Sequence, residues 1–319
     1  PLSKAYQRAF PRSYKEDVLP GSAVADIERL EELNDDNKLG MLFYRPQELA
    51  SDSKSVKLKL YHRDEPIHLS DVMPMLENLG MRVIGESPYE VRKSNGQVFW
   101  ILDFSMLHKS EKTVDLREAR DRFQQAFASI WSGELESDGF NRLVLSASLT
   151  GRETSLLRAY ARYMRQVGFP FSQQYIEDTL NHYPDLAKGL VELFTKRFDP
   201  KLKGVEKGQN DLIAKMMEQL DHVESLDDDR IIRRYMEMIT ATLRTNYYQL
   251  DKKKQPKPWL SLKLKPSEIP EIPQPVPAFE IFVYAPDIEG VHLRGGKVAR
   301  GGLRWSDRQE DFRTEILGL

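Results

Sequence analysis

Three guanidinium groups and four glycines fall within eleven residues of this 319-residue chain, in Arg294-Gly295-Gly296, Arg300-Gly301-Gly302 and the following Leu303-Arg304-Trp305. The chemistry such a set suits is recognition of a carboxylate or a phosphate. Arginine grips either with a planar two-pronged fork, while glycine admits positive φ and lets backbone N–H groups approach an anion closely. The triplets also read as a tight turn, or as an Arg-Gly-Gly box that touches nucleic acid. Such boxes are repetitive and disordered, whereas this stretch has a strand pattern on one side and a helix start on the other.

Upstream, Phe279, Ile281 and Val283 alternate with Glu280, Phe282 and Tyr284, a mostly apolar run suited to a largely buried strand that Gly290 is expected to end. Downstream, Ser306-Asp307-Arg308-Gln309 fits a capping box, with Phe312, Ile316, Leu317 and Leu319 on one helical face behind it. A helix N-terminus beside the glycines adds its dipole to the field of the arginines. Only about three helical turns fit before Leu319, and the chain opens on Pro1 without Met. It therefore reads as an internal piece of a longer polypeptide.

The balance of 47 basic and 49 acidic residues gives a net charge of −2, which argues against broad affinity for nucleic acid or membrane. Any anion site must be local. With no cysteine there are no disulfides, thiolate metal sites or cysteine nucleophiles, and a reducing compartment is favoured. No apolar run approaches the roughly 18 residues that span a bilayer, and a signal-peptide core is missing from the first thirty residues. A cytoplasmic protein is expected.

Five segments follow from the pattern. Residues 1–52 hold an aromatic and basic opening, a helix from about Ser22 and a possible strand at Met41 to Tyr44, and read as the tail of a preceding module. Residues 53–138 give strand, helix, strand, strand, helix: Val56 to His62 alternates, Ser70 caps a helix, Met81 to Ile84 and Tyr89 to Arg92 are extended, and Ser94-Asn95-Gly96 turns into Gln97 to Met106. That order is the start of a ferredoxin-like βαββαβ unit. Residues 139–250 read as helix throughout, with Arg158, Arg162, Arg165, Arg233 and Arg234 expected on a solvated face or one between domains. In residues 251–278 a Lys run and seven prolines mark a linker with a short strand near Leu260 to Lys265. The Lys run reads as a charged linker, with contact to nucleic acid as the other reading. Residues 279–319 carry the arginine and glycine motif.

Gly-x-Gly-x-x-Gly, the phosphate-loop motif, His-Glu-x-x-His and Gly-x-Ser-x-Gly are all missing. The six histidines, His62, His68, His108, His182, His222 and His292, never fall in metal-ligand spacing, so no metal is assigned.

The 53–138 order resembles the ACT family of small amino-acid-sensing domains, which implies a possible amino-acid effector. More specifically, VHLRGGKVARGGLRWSDRQEDFRTEILGL resembles the opening of the substrate-binding domain in the large NAD-specific bacterial glutamate dehydrogenases, and the likeness extends upstream through ATLRTNYYQ and GRETSLLRAYARYMRQVGFPFS. The resemblance implies an α+β multidomain chain: an ACT-type unit, an all-helical region and the truncated start of an α/β substrate domain. It also implies a parent enzyme that deaminates L-glutamate to 2-oxoglutarate with NAD, in a homo-oligomer. Arg300, Gly301, Gly302 and Arg304 match the family's Lys-Gly-Gly-x-Arg substrate segment, with Arg300 where the lysine stands, so a fork replaces a point cation. The family's catalytic lysine and its NAD-binding domain lie beyond the matching segment, so neither catalytic nor cofactor-binding residues are assigned. The other reading is a non-catalytic amino-acid-sensing or oligomerisation module.

Overall fold

The structure is a computed structural model and describes residues 2–46, 54–109, 115–202, 206–305 and 312–318. The chain is α+β and divides into two compact units, Pro1–Ala128 and Ser129–Leu319.

In the first unit three helices, α1 (Leu2–Tyr6), α2 (Arg12–Asp17) and α3 (Pro20–Glu32), precede strands β1 (Leu39–Tyr44) and β2 (Ser55–Arg63). Helix α4 (Leu69–Asn78), strands β3 (Met81–Arg92) and β4 (Val98–His108) and helix α5 (Leu116–Trp131) follow. The β-branched and aromatic alternation predicts β2 and β4 closely. The two extended pieces expected at 81–84 and 89–92 are one strand, with a register shift between Val83 and Gly85. The residue before α4 is His68, not Ser70.

The strands form one antiparallel sheet in the order β1-β2-β4-β3. Strand β1, expected in a separate preceding module, pairs along its length with β2, from Leu39 opposite His62 to Tyr44 opposite Lys57. The reason is that a lone six-residue strand leaves its backbone groups unpaired, and the edge of β2 is there to take them. The βαββαβ expectation is corrected accordingly: among the described residues of this unit no strand follows α5, and the position beside β2 is filled from upstream.

Both faces of this sheet are covered. On one, Phe43 of β1 stacks on Phe123 of α5 with ring centroids 4.2 Å apart. On the other, Asp26 of α3 is 1% exposed and accepts from Tyr14 at 2.6 Å, Lys59 Nζ at 2.6 Å and Tyr61 at 2.8 Å. A buried carboxylate is tolerated there because two hydroxyls and an ammonium replace its water.

Among its described residues the second unit holds six α-helices before its sheet: α6 (Leu143–Ser146), α7 (Gly151–Gln166), α8 (Gln173–His182), α9 (Pro184–Phe198), α10 (Glu206–Leu220) and α11 (Leu226–Ala241). Their starts obey side-chain capping rules. Thr150 and Glu153 form a reciprocal capping box, Ser172 and Ser225 accept from the backbone three residues on, and Pro184 occupies the first turn of α9. Strands β5 (Thr242–Thr245), β6 (Leu260–Leu264), β7 (Phe279–Ala285), β8 (Ile288–Gly295) and β9 (Val298–Trp305) form a second sheet, and α12 (Phe312–Gly318) closes the described chain.

This sheet runs in sequence order and is antiparallel throughout, where an α/β substrate domain is expected. Short connections such as the one between β7 and β8 permit only antiparallel neighbours. Nor do the helices and the sheet keep separate cores. Leu157, Tyr160, Leu190 and Ile239 share one cluster with Leu262, Leu264, Phe282 and Val291, and Ile269 and Ile272 from the proline-rich stretch join it. The arginines of α7 and α11 depart furthest from expectation. Arg158 is fully buried and Arg234 is 6% exposed, donating to the Pro270 carbonyl at 2.8 Å.

Substituting Asp26→Asn deprives the Lys59 ammonium, 4% exposed, of its ion-pair partner. The expected outcome is a loss of about 3 kcal/mol, read as a lower urea midpoint for the Pro1–Ala128 unit.

Candidate functional site

The arginine and glycine motif lies on an antiparallel hairpin, which corrects the strand-to-helix corner. Gly290 does not end a strand; it sits inside β8, between Val283 and Leu303. Gly296, at φ +60°, makes the turn into β9. Arg300, Gly301 and Gly302 are mid-strand residues of β9, facing Leu293, His292 and Val291. The expected capping box at Ser306 to Gln309 lies outside the described residues.

The second pair of glycines serves close packing, not positive φ. A Cβ on Gly301 would stand 2.8 Å from the Val291 carbonyl oxygen, and one on Gly302 would stand 3.1 Å from Cζ of Phe312. The first contact keeps β8 against β9, and the second lets α12 sit on the strand.

Strand alternation places Arg300, Gly302 and Arg304 on the α12 face of β9, and Gly301, Leu303 and Trp305 on the other. Arg304 lies over the Phe312 ring, 4.8 Å from its centroid, and pairs with Glu315. Arg300 is exposed and lies about 13 Å farther along the strand. Arg294 pairs with Ala299 and so points from the opposite face. The structure therefore joins Gly302 and Arg304 to α12, leaves Arg300 facing solvent beside them, and does not converge the three guanidiniums.

Beneath the same face lies a buried polar network that the sequence reading misses. Glu280 on β7 and Arg313 on α12 are 1% and 0% exposed; Nε of Arg313 lies 3.0 and 3.1 Å from the two carboxylate oxygens. Tyr163 of α7 donates its hydroxyl to Glu280 at 2.7 Å. Burial, then Glu280, pushes the Tyr163 hydroxyl well above its usual range, so it remains a donor. Gln166, also on α7, donates to Glu289 at 3.2 Å and accepts the Arg313 backbone N–H at 2.9 Å.

Farther along α7, Arg162 donates to Glu136 at 2.8 Å, and Tyr284 donates to the same carboxylate. Arg158 donates to both oxygens of Asp138 at 2.6 Å. The signals were present: Glu280 alternates in phase with Phe282 and Tyr284, and Arg158, Arg162 and Arg165 repeat at the spacing of the helix's apolar row.

Chemically, β9 offers an exposed guanidinium on a strand whose glycine lets an ion-paired helix pack close beside it. That suits holding a carboxylate. Among the described residues both sheets are antiparallel, unlike the parallel sheet of a doubly wound dinucleotide-binding fold. Groups of three or more potential metal ligands are also absent among the described residues, and no described helix is long and apolar enough to cross a membrane.

The known proteins that this α+β chain resembles are amino-acid dehydrogenases. Family models match it in series: "Glutamate dehydrogenase, helical motif 2" over residues 1–33, "ACT3 domain" over 38–119, "helical motif 3" over 135–200 and "Bacterial NAD-glutamate dehydrogenase, catalytic domain" over 215–319. The chain belongs to the bacterial NAD-glutamate dehydrogenase family. It is 51% identical over 318 residues to the NAD-specific glutamate dehydrogenase of Halomonas elongata, 50% to that of Pseudomonas aeruginosa and 40% to that of Mycobacterium tuberculosis. These alignments take in 98 to 100% of the chain and span 20% of the length of each relative.

Two outcomes test this geometry. Gly301→Ala is expected to force β8 from β9 and cost about 1–3 kcal/mol, read by chemical denaturation. Burial, opposed by Arg162 and Gln166, raises the Glu289 carboxyl above its ordinary range. The folded state thus binds that proton more tightly than the unfolded chain, so its contribution is complete below about pH 4.3 and is lost as pH rises through the raised value. Glu289→Gln is expected to make the decline of the urea midpoint above that pH shallower.

Proposed function

We propose that residues 215–319 supply part of the glutamate pocket of an NAD-dependent glutamate dehydrogenase, an enzyme that oxidatively deaminates L-glutamate to 2-oxoglutarate and ammonium. The observation that carries the reading is Arg300 standing exposed on β9, on the face where Gly302 admits α12, within a segment that matches the family's catalytic domain. In this assignment Arg300 binds a substrate carboxylate through a charge-assisted fork, Gly301 and Gly302 keep the strand close to its neighbours, and Arg304 completes the pocket wall. On this reading the catalytic lysine and the NAD site lie elsewhere in the polypeptide, and the fragment alone is inactive.

The sheet of the first unit supports an ACT-type module. Its order, β1-β2-β4-β3 with α4 and α5, is the ferredoxin-like order with the fourth strand's place taken by the preceding one. Because α3 and α5 cover its two faces, we assign it a structural role before a sensing one.

In the full-length polypeptide, Arg300→Ala is expected to raise KM for glutamate about tenfold to hundredfold, from loss of one charge-assisted contact, while KM for NAD is unchanged. Steady-state NADH formation checks this. Absence of glutamate-dependent NADH formation in the unsubstituted polypeptide, or an unchanged KM in the variant, would overturn the assignment.

A further inference from the structure

We propose that Tyr163 and Gln166 of α7, with the Glu280–Arg313 pair, are positioning residues for Arg304, so that the helical region sets glutamate affinity through α12. The inference rests on the pocket assignment above and adds residues to it that touch no substrate.

The chain of contacts is continuous. Arg304 lies over the Phe312 ring and pairs with the Glu315 carboxylate, and both partners belong to α12. Gly302 accepts Phe312 so closely that a single added carbon would meet it at 3.1 Å. The setting of α12 thus bears directly on where Arg304 points. That setting is in turn held by Arg313, whose side chain binds Glu280 of the central strand β7 and whose backbone N–H donates to Gln166 at 2.9 Å.

Tyr163 donates to the Glu280 carboxylate at 2.7 Å, so α7 touches both partners of the pair. Apolar contact alone would let a seven-residue helix slide on the sheet, since dispersion is non-directional. A fork on a carboxylate is directional, and with both partners essentially dry it has no solvent to substitute for a lost bond. Arg304 inherits that precision.

The test uses the full-length polypeptide with Arg313→Lys, which keeps the charge and removes the fork, and Tyr163→Phe, which removes one hydroxyl and preserves packing. Tyr235→Phe is the control, since its hydroxyl on α11 donates to the Leu157 carbonyl at the middle of α7 at 2.9 Å, outside the hydrogen bonds that join Tyr163, Gln166, Glu280 and Arg313.

Both probes are expected to raise KM for glutamate about tenfold with kcat within about twofold. They should also speed amide hydrogen exchange in the peptide covering β9, and the control should do neither. A merely structural role would lower the denaturation midpoint in all three variants without moving KM. Unchanged exchange in β9, or faster exchange at constant KM, would overturn the proposal. If Arg313→Lys does not fold, Tyr163→Phe decides. Failure of the pocket assignment is separate: it would appear as an unaltered KM in Arg300→Ala, whatever the exchange result.

Discussion

A buried guanidinium is tolerated only beside a carboxylate, and the second unit is organised by that constraint. Arg158 and Arg313 are fully buried, and taking each from water costs several kcal/mol, on the order of what a domain's whole net stability provides. Each charge therefore needs a partner placed to within hydrogen-bond reach. Asp138 meets Arg158, Glu136 meets Arg162 and Glu280 meets Arg313. The requirement reaches beyond local stability, because it selects one strand register. Slipping β7 by one residue would carry Glu280 to the other face, together with Phe282 and Tyr284, and strand Arg313 in an apolar interior.

That selection explains why helices and sheet form one body. Apolar burial joins α7 to the sheet without specifying how the two align, since any similar surface would serve. The polar contacts add direction: Tyr163 to Glu280, Gln166 to Glu289 and Tyr284 to Glu136 tie α7 and the loop before α6 to β7 and β8. The segments that match helical motif 3 and the catalytic domain share this seam, so the boundary between them runs through a common core. In the first unit Asp26 does the same for α3 and β2, with two tyrosines and a lysine converging on one carboxylate.

What could be read from the sequence follows the range of the forces. Signals within one turn or one strand were legible: the Thr150 and Glu153 capping box, Pro184 in a first turn, the alternation of β2 and the Gly96 turn. Pairing across distance was not. Nothing local to residues 39–44 says that they join β2, and although β6 was legible as a short strand, nothing local says that its leucines reach the core. The inward arginines were misassigned because amino-acid type outweighed phase. Their spacing matched the buried row, but a single sequence does not show the carboxylates that neutralise them. Of the candidate site, the residue set was legible and its geometry was not, since glycine was read as freedom of φ where it serves clearance.

The clearance reading alters what the motif is for. If Gly301 and Gly302 were present for positive φ, β9 would bend and its arginines could converge on one anion. Because they hold β8 and α12 close to a straight strand, Arg300 and Arg304 share a face at a separation no single carboxylate bridges. One motif thus divides into two tasks with different electrostatics. Arg304, stacked on Phe312 and paired with Glu315, has its charge largely answered within the chain. Arg300 keeps its field toward solvent, where an incoming anion would meet it first. A lysine in the same place would supply the charge without the planar fork, so the arginine demands more of the strand's orientation, and the buried bracing of α12 is what can meet that demand.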